Sequence, residues 1–282
     1  MSAVRAARPV HRGQGGIRQA ASDGLLVTWR NLKRIPRIPE LAIFAILQSI
    51  MFVLLFAFVF GGAIPIPGYE NDPNAYREFL MPGIFGQTIV FAAATTAIGM
   101  TDDVHKGIID RFRSLPMARS AVLTGRALSD VVYNFGILIV LILSGLAVGW
   151  TVHTGFQALV AGIALMLLFA FAMSWLGIWM GLNVPSVEVA QQVIFTVLFP
   201  ITFLSSAFVA VESLPEFLQP IAEWNPTSTL TNSLRELWGN PLAPVRDSIP
   251  SQYPILVTLA WVVIFTAVFA PLAVRKYRNL SR

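Results

Sequence analysis
Ten ionisable residues of this chain gather in one patterned stretch. Asp102, Asp103, His105, Lys106, Asp110, Arg111, Arg113, Arg119, Arg126 and Asp130 all lie between positions 102 and 130. Bond-making chemistry needs more than charge. The GxxxxGK[ST] loop that cradles nucleotide phosphates is not in the sequence. His11, His105 and His153 fall in separate segments, and no His, Cys or Glu set has metal-ligand spacing. No nucleophile sits beside a base, and there are no cysteines. The residues therefore point to no catalytic centre and no metal site. What remains is non-covalent recognition: charged and apolar side chains presented to another macromolecule.

The local pattern suits that task. Ile108, Phe112 and Leu115 share one face of a short helix, with Ile109 beside them, while Asp110, Arg111 and Arg113 project elsewhere. Pro116 ends that helix, because the residue before a proline is pushed out of the α region. A second helical run, about 117–130, follows. A short helix with an apolar ridge and charged flanks fits the groove of a partner protein; a helix resting on the lipid interface is the other reading.

The elements that position this stretch follow from composition. Of 282 residues, 55% are apolar and only 12% charged, against roughly 25% charged in an average soluble domain. Too few charges remain to cover a soluble surface of that size. Collagen, disorder and disulfide scaffolds are excluded as well. A membrane span needs roughly 20 mostly apolar residues, and six stretches qualify: Leu41–Phe60, Phe79–Thr101, Val131–Trp150, Ala158–Leu182, Val193–Val211 and Ile255–Val274. None contains Lys, Arg, Asp or Glu. The runs are continuous and do not alternate, so the fold class is all-α and polytopic, not a β-barrel. Residues 1–21 read as a disordered basic tail and 22–278 as a single membrane domain.

Charge sets the orientation. Lys and Arg favour the cytoplasmic side. With both termini inside, 17 of the 20 basic residues are inner, and three (Arg77, Arg235, Arg246) are outer. The eight basic residues before the first full-length span argue against a cleaved leader. Residues 22–35, with Ser22 or Asp23 as cap and Leu25, Trp29 and Leu32 at helical spacing, read as a helix in the inner interface; a solvated tail is the alternative. In the 212–254 loop, Leu214–Ile221 and the Leu230, Leu234, Leu237, Trp238 run form two short apolar helices around Trp224-Asn225-Pro226. Both are below spanning length and read as outer re-entrant elements, or as an ordinary loop with an interfacial helix. Gly145/Gly149 and Gly177/Gly181 have GxxxG spacing, which suits close helix packing within one subunit better than dimerisation.

Uncharged spans bear on energy. Ion-coupled transporters place ionisable groups at membrane depth. Spans without them point to a driving force delivered mechanically, with the 102–130 loop as its entry point. Backbone-coordinated Na⁺ at a broken helix is the remaining ion-driven route.

The order of these elements resembles the ABC type-2 exporter permeases, and most nearly the daunorubicin-resistance type of drug-export permease in actinobacteria. The segment Asp102-Asp103-Val104-His105-Lys106-Gly107-Ile108-Ile109-Asp110-Arg111-Phe112-Arg113-Ser114-Leu115-Pro116 resembles that group's coupling segment, and Gly125-Arg126 continues the match. Asn225-Pro226 followed by Leu234-Arg235 resembles its second landmark. Many relatives carry Glu where this chain has Asp102 and Asp103. The likeness covers about residues 20–275.

The resemblance implies a second permease copy, as homodimer or related heterodimer, and two copies of a separate ATP-binding subunit. That subunit would bind ATP and Mg; this chain would bind no cofactor and no nucleic acid. Asp102, Asp103, Lys106, Gly107, Ile108, Asp110, Arg111, Phe112, Arg113, Leu115 and Pro116 would contact it, with Glu188 in a smaller second contact. The substrate class implied is an amphipathic drug, antibiotic or lipid, exported across the cell membrane. Gln48, Gln87, Thr95, Thr96, Asn134, Thr196 and Ser205 are candidates for its path; each could equally be a polar group bonded to a neighbouring backbone. Two other classes remain: a self-contained channel or secondary transporter, and a membrane anchor that scaffolds an enzyme.

Overall fold
In the computed structural model, helix α1 (Ala75–His105) is the axis of the molecule. The structure describes Thr28, residues 47–48, 50–55 and 58–59, and then 75–109, 119–242 and 247–279. In α1, 72% of the apolar window is buried, against 11% in the last helix, so α1 lies inside the bundle and the last helix lies at its edge. Around α1 run α2 (Arg119–Ala147), α3 (Phe156–Gly181), α4 (Val187–Phe203), the short α5 (Gln219–Trp224), α6 (Pro226–Trp238) and α7 (Pro254–Asn279). Every regular element among the described residues is helical. Four of them, α1, α2, α3 and α7, are long and apolar enough to cross a membrane.

Small residues let α1 and α3 touch backbone to backbone. A Cβ at Gly177 would lie 2.4 Å from the Ala93 carbonyl oxygen, and one at Gly181 would lie 2.4 Å from that of Ala97. The Thr101 hydroxyl then donates to the Gly181 carbonyl at 3.1 Å. The Gly177/Gly181 pair is thus used within the subunit, as its spacing suggests. Gly145 abuts Phe85 and Trp150 in the same way, whereas Gly149 is a turn residue with φ +94° and open space around it.

The outward faces are apolar. Leu256, Val263, Ile264 and Val268 of α7 and Leu47, Met51, Phe58 and Val59 of the first predicted span are exposed. Such a surface suits hydrocarbon and not water.

Several boundaries differ from the hydropathy reading. The 131–150 stretch belongs to a helix that starts at Arg119 and ends at Ala147, so the run expected over 117–130 and the third span are one element. The Val193–Val211 stretch is displaced. Helix α4 begins at Val187, because the Ser186 side chain accepts from the Val189 N–H and caps the polar first turn. It ends at Phe203, because Asn225 takes the Ile201 and Leu204 carbonyls through its side-chain amide. At 17 residues, α4 is at the lower limit of spanning length. The short helix expected over Leu214–Ile221 is instead α5, Gln219–Trp224, started by Pro220 in its first turn. The predicted interfacial helix 22–35 lies outside the described residues except at Thr28, which is helical and buried. Residues 1–21, also expected to be a tail, lie outside them too.

Candidate functional site
The two ends of α1 are built differently. At its C-terminal end, Gly107 adopts φ +66° and turns the chain, with its N–H on the Val104 carbonyl at 3.1 Å. No described residue lies within 4 Å of where its Cβ would be, and the left-handed backbone is what favours glycine here. Lys106 pairs with Asp102 one turn earlier at 2.7 Å, both accessible to solvent; such a pair adds little stability. Past the turn, Ile109 is buried in a cluster with Met100, Val122, Leu123, Ala127 and Trp175. The recognition segment is therefore seated on the bundle at Ile109. Ile108 is half-buried. Asp110, Arg111, Phe112, Arg113, Leu115 and Pro116 lie outside the described residues.

Asp103 faces inward, unlike Asp102. Its carboxylate accepts from Arg126 Nη1 at 3.0 Å, with side-chain exposures of 12% and 16% for Asp103 and Arg126. The Arg126 Nε lies 3.3 Å from Asp130 on its own helix. Asp130 in turn accepts the Thr96 hydroxyl of α1 at 2.8 Å, and its backbone carbonyl accepts the Asn134 amide at 2.8 Å. The expectation of a charge-free helical interior is thus corrected: the helices extend beyond their apolar windows and carry paired charges into the bundle. Glu188 is exposed in the first turn of α4. The Ser186 hydroxyl, a backbone N–H and nearby His105 hold its carboxyl below the ordinary glutamate range, which puts the start of α4 beside the end of α1.

The other end of α1 is fixed by α6. Asn225 caps that helix through the Thr227 N–H at 2.8 Å, Pro226 occupies its first turn, and Gly239 closes it with φ +67°. Almost all of α6 is buried, hydroxyls included; Ser233 bonds Thr258 of α7 at 3.0 Å. Arg235 is 1% exposed. Its Nε and Nη2 donate to the Phe79 carbonyl at 2.9 and 2.8 Å, Nη2 also to the Ala207 carbonyl, and Nη1 to Asn232. The guanidinium sits 3.4 Å from the centre of the Phe79 ring. The ion pairs among the described residues do not include it. Pro82 lies within one turn of Phe79, and its ring crowds that turn. A cavity of about 230 Å³ opens beside it, lined by Glu212, Glu223, Asn232 and Glu236 among others. Trp150, Trp238 and Phe85 close the neighbouring layer edge to face at 5.2 to 5.9 Å.

The path candidates do not converge on one cavity within this chain. Thr96 and Asn134 meet at Asp130. Ser205 is buried at the opposite end and bonds the Thr202 carbonyl. Gln87 is buried in α1. Gln48, Thr95 and Thr196 are exposed on the bundle surface. Sequence reasoning missed Arg126 with Asp130, and Arg235 as an anchor. The signal for the first was available: Thr96, Gly99 and Asp103 share a face at i, i+3, i+7, and Arg126 and Asp130 are i, i+4.

Comparison with known proteins agrees with this architecture. The family model described as ABC-2 type transporter matches residues 24–238. The chain is 30% identical over 260 residues to the daunorubicin resistance ABC transporter permease protein DrrB1 of Streptomyces coeruleorubidus, covering 92% of this chain and 87% of that one. It is 25% identical to the putative transport permease ycf38 of Cyanophora paradoxa, over 73% of this chain and 71% of the other. With the helical bundle and its capped, seated recognition segment, these likenesses make one conclusion plain: the chain belongs to the ABC-2 type transporter family.

Proposed function
We propose that this membrane transport subunit is the permease of an ATP-driven exporter that moves an amphipathic drug, antibiotic or lipid out of the cell. A separate subunit binds and hydrolyses ATP with Mg, and a second permease copy completes the pore. The chain crosses the cell membrane six times with both termini inside, and α5 and α6 form the outer re-entrant element. The 13 residues of α6 extend about 20 Å at a rise of about 1.5 Å each, short of a hydrocarbon core of about 30 Å. The relative named for daunorubicin resistance supports the substrate class.

One observation carries the reading: the end of α1. A turn at Gly107 presents Asp102 and Lys106 to solvent while Ile109 ties the following segment to the bundle, and Glu188 stands alongside. Force applied to residues 107–116 by a partner's closure reaches α1 directly. The alternative, a self-contained ion-driven transporter, would use either backbone-coordinated Na⁺ or a titrating group inside the bundle, and Asp130 is the residue placed to serve the second route.

Reconstitution separates the two. In proteoliposomes, efflux of a fluorescent amphiphile should require both the ATP-binding subunit and ATP; transport by the permease alone on an ion gradient would overturn the exporter reading. Within the complex, Gly107→Leu or Arg111→Ala should lower efflux per ATP hydrolysed at least tenfold while membrane insertion persists. Wild-type efflux in both variants would remove this segment from the coupling route.

A further inference from the structure
We infer that Arg126 is a positioning residue that clamps α2 to α1 and passes movement of the coupling segment into the helical bundle. The inference rests on the exporter reading above. Its basis is a two-point grip. Arg126 reaches Asp103 at 3.0 Å, and Asp130, which Arg126 orients at 3.3 Å, holds Thr96 at 2.8 Å. Thr96 and Asp103 lie two turns apart on one face of α1, about 10 Å along its axis.

The backbone of α1 is shaped to seat this clamp. Gly99 lies between the two grip points, and a Cβ there would come within 2.2 Å of Arg126 Nη2. A side chain at 99 would require the guanidinium to move from its present position against α1. A seat of this kind is a second observation, independent of the ion pairs. A third comes from the other flank: the Thr28 hydroxyl donates at 3.0 Å to the carbonyl of Gly125, the residue before Arg126. Ile109 packs with Val122, Leu123 and Ala127, around the same turns of α2. Asp103 is in the last turn of α1, four residues ahead of Gly107. Whatever pulls on residues 107–116 therefore pulls on Asp103 and Ile109, and both meet α2 at Arg126.

The charge arrangement makes the clamp releasable. A largely desolvated arginine that lost its sole carboxylate would be strongly disfavoured. Arg126 has two, one on each helix. When α1 shifts, the contact to Asp103 can break while that to Asp130 persists, so α1 and α2 can change register without stranding the arginine.

The test uses the reconstituted permease with its ATP-binding subunit, and reads efflux per ATP hydrolysed together with assembly of the complex. Asp103→Asn leaves Arg126 its Asp130 partner, and should assemble yet lower the ratio at least tenfold. Arg126→Gln should do the same, and Arg126→Lys should recover at least a third of the wild-type ratio. Gly99→Leu, which touches no charge, should resemble Arg126→Gln. A wild-type ratio in an assembled Asp103→Asn complex would overturn the clamp. If Arg126→Gln fails to assemble, Asp103→Asn and Gly99→Leu decide the matter. Absence of ATP-dependent efflux in the wild type would defeat the exporter reading itself, and the clamp with it.

Discussion

Two arginines grip α1 near its two ends, and they do so with different chemistry. Arg235 holds backbone: the carbonyls of Phe79 and Ala207, with the Asn232 side chain completing its set. Arg126 holds two carboxylates, one on its own helix and one on α1. A backbone carbonyl has no rotamer and no protonation state, so the contact it makes is fixed by the helix that carries it. A carboxylate on a side chain can swing, exchange partners or titrate. The Arg235 end is therefore an anchor, and the Arg126 end is a joint. The difference in burial agrees: Arg235 is 1% exposed, whereas the side chains of Arg126 and Asp103 keep 16% and 12%. An anchor is best kept dry, because each hydrogen bond strengthens as water is excluded. A joint that opens needs a route for its charges to be solvated or re-paired.

The largest effect should come from breaking the anchor. Arg235→Ala strips the Phe79 and Ala207 carbonyls of its donors, leaves Asn232 only the Ser206 hydroxyl, and opens a void next to Phe79. A buried acceptor left unsatisfied costs about 1–3 kcal/mol, so the sum is on the order of 3 kcal/mol or more, a large share of a typical stability. The expected outcome is loss of a monodisperse peak in size-exclusion chromatography in detergent. Arg235→Lys should rescue little, because an ammonium cannot reproduce the pair of bonds that Nε and Nη2 converge on the Phe79 carbonyl while the same group also reaches Ala207 and Asn232. A well-behaved Arg235→Ala protein would mean that the two ends do not differ as described.

Next come two glycines that separate crowding from conformation. Gly177→Ala would drive a methyl against the Ala93 carbonyl, and α1 and α3 must part to admit it. Overpacking of that kind costs about 1–3 kcal/mol. Gly107→Ala meets no neighbour among the described residues and bears the strain of a left-handed backbone, about 1 kcal/mol. Thermal unfolding should therefore rank Gly177→Ala as the more damaging change. Efflux normalised to folded protein should rank them the other way, since Gly107 turns the chain into the coupling segment and Gly177 only packs the core. The same ranking in both assays would erase the distinction between packed bundle and moving end.

Much of this was legible in the sequence, for physical reasons that also mark the limits. Continuous apolar runs such as 158–182 report burial in lipid or in a bundle alike, so they found α3 and α7 to within a few residues. The same averaging hid the start of α4, where Glu188, Gln191 and Gln192 are polar yet helical because Ser186 caps them. Hydropathy alone also passes over the first turns of α2, which carry Arg126 and Asp130 and were legible instead as the helical run 117–130. Asp102 and Asp103 looked equivalent in the chain. They point about 100° apart on a helix, one to solvent and one to Arg126, and only the packing of α2 against α1 decides which is which. Arg235 reads as a surface cation on an amphipathic helix until its acceptors, Phe79 and Ala207, arrive from 156 and 28 residues away.

The smallest expected effect belongs to Glu188, and it bears on the joint at its solvent edge. Its carboxyl is held below the ordinary glutamate value of 4.5, first by the Ser186 hydroxyl and a backbone N–H, then by His105. A depressed pKa in the folded state means that folding favours the ionised form. The contribution is present above the ordinary value and is lost as the pH falls through the lowered one. In detergent, the unfolding temperature of wild type should therefore exceed that of Glu188→Gln by a small margin near neutral pH, and the two should converge as the pH falls through the lowered value. Ser186→Ala should narrow the same gap, because it removes the leading cause of the shift and the cap of α4 together. Since Glu188 is exposed, raising the salt concentration should shrink the His105 part and leave the Ser186 part. A gap that widens in acid would place the charge in a different contact, and would detach the start of α4 from the end of α1 on which the joint depends.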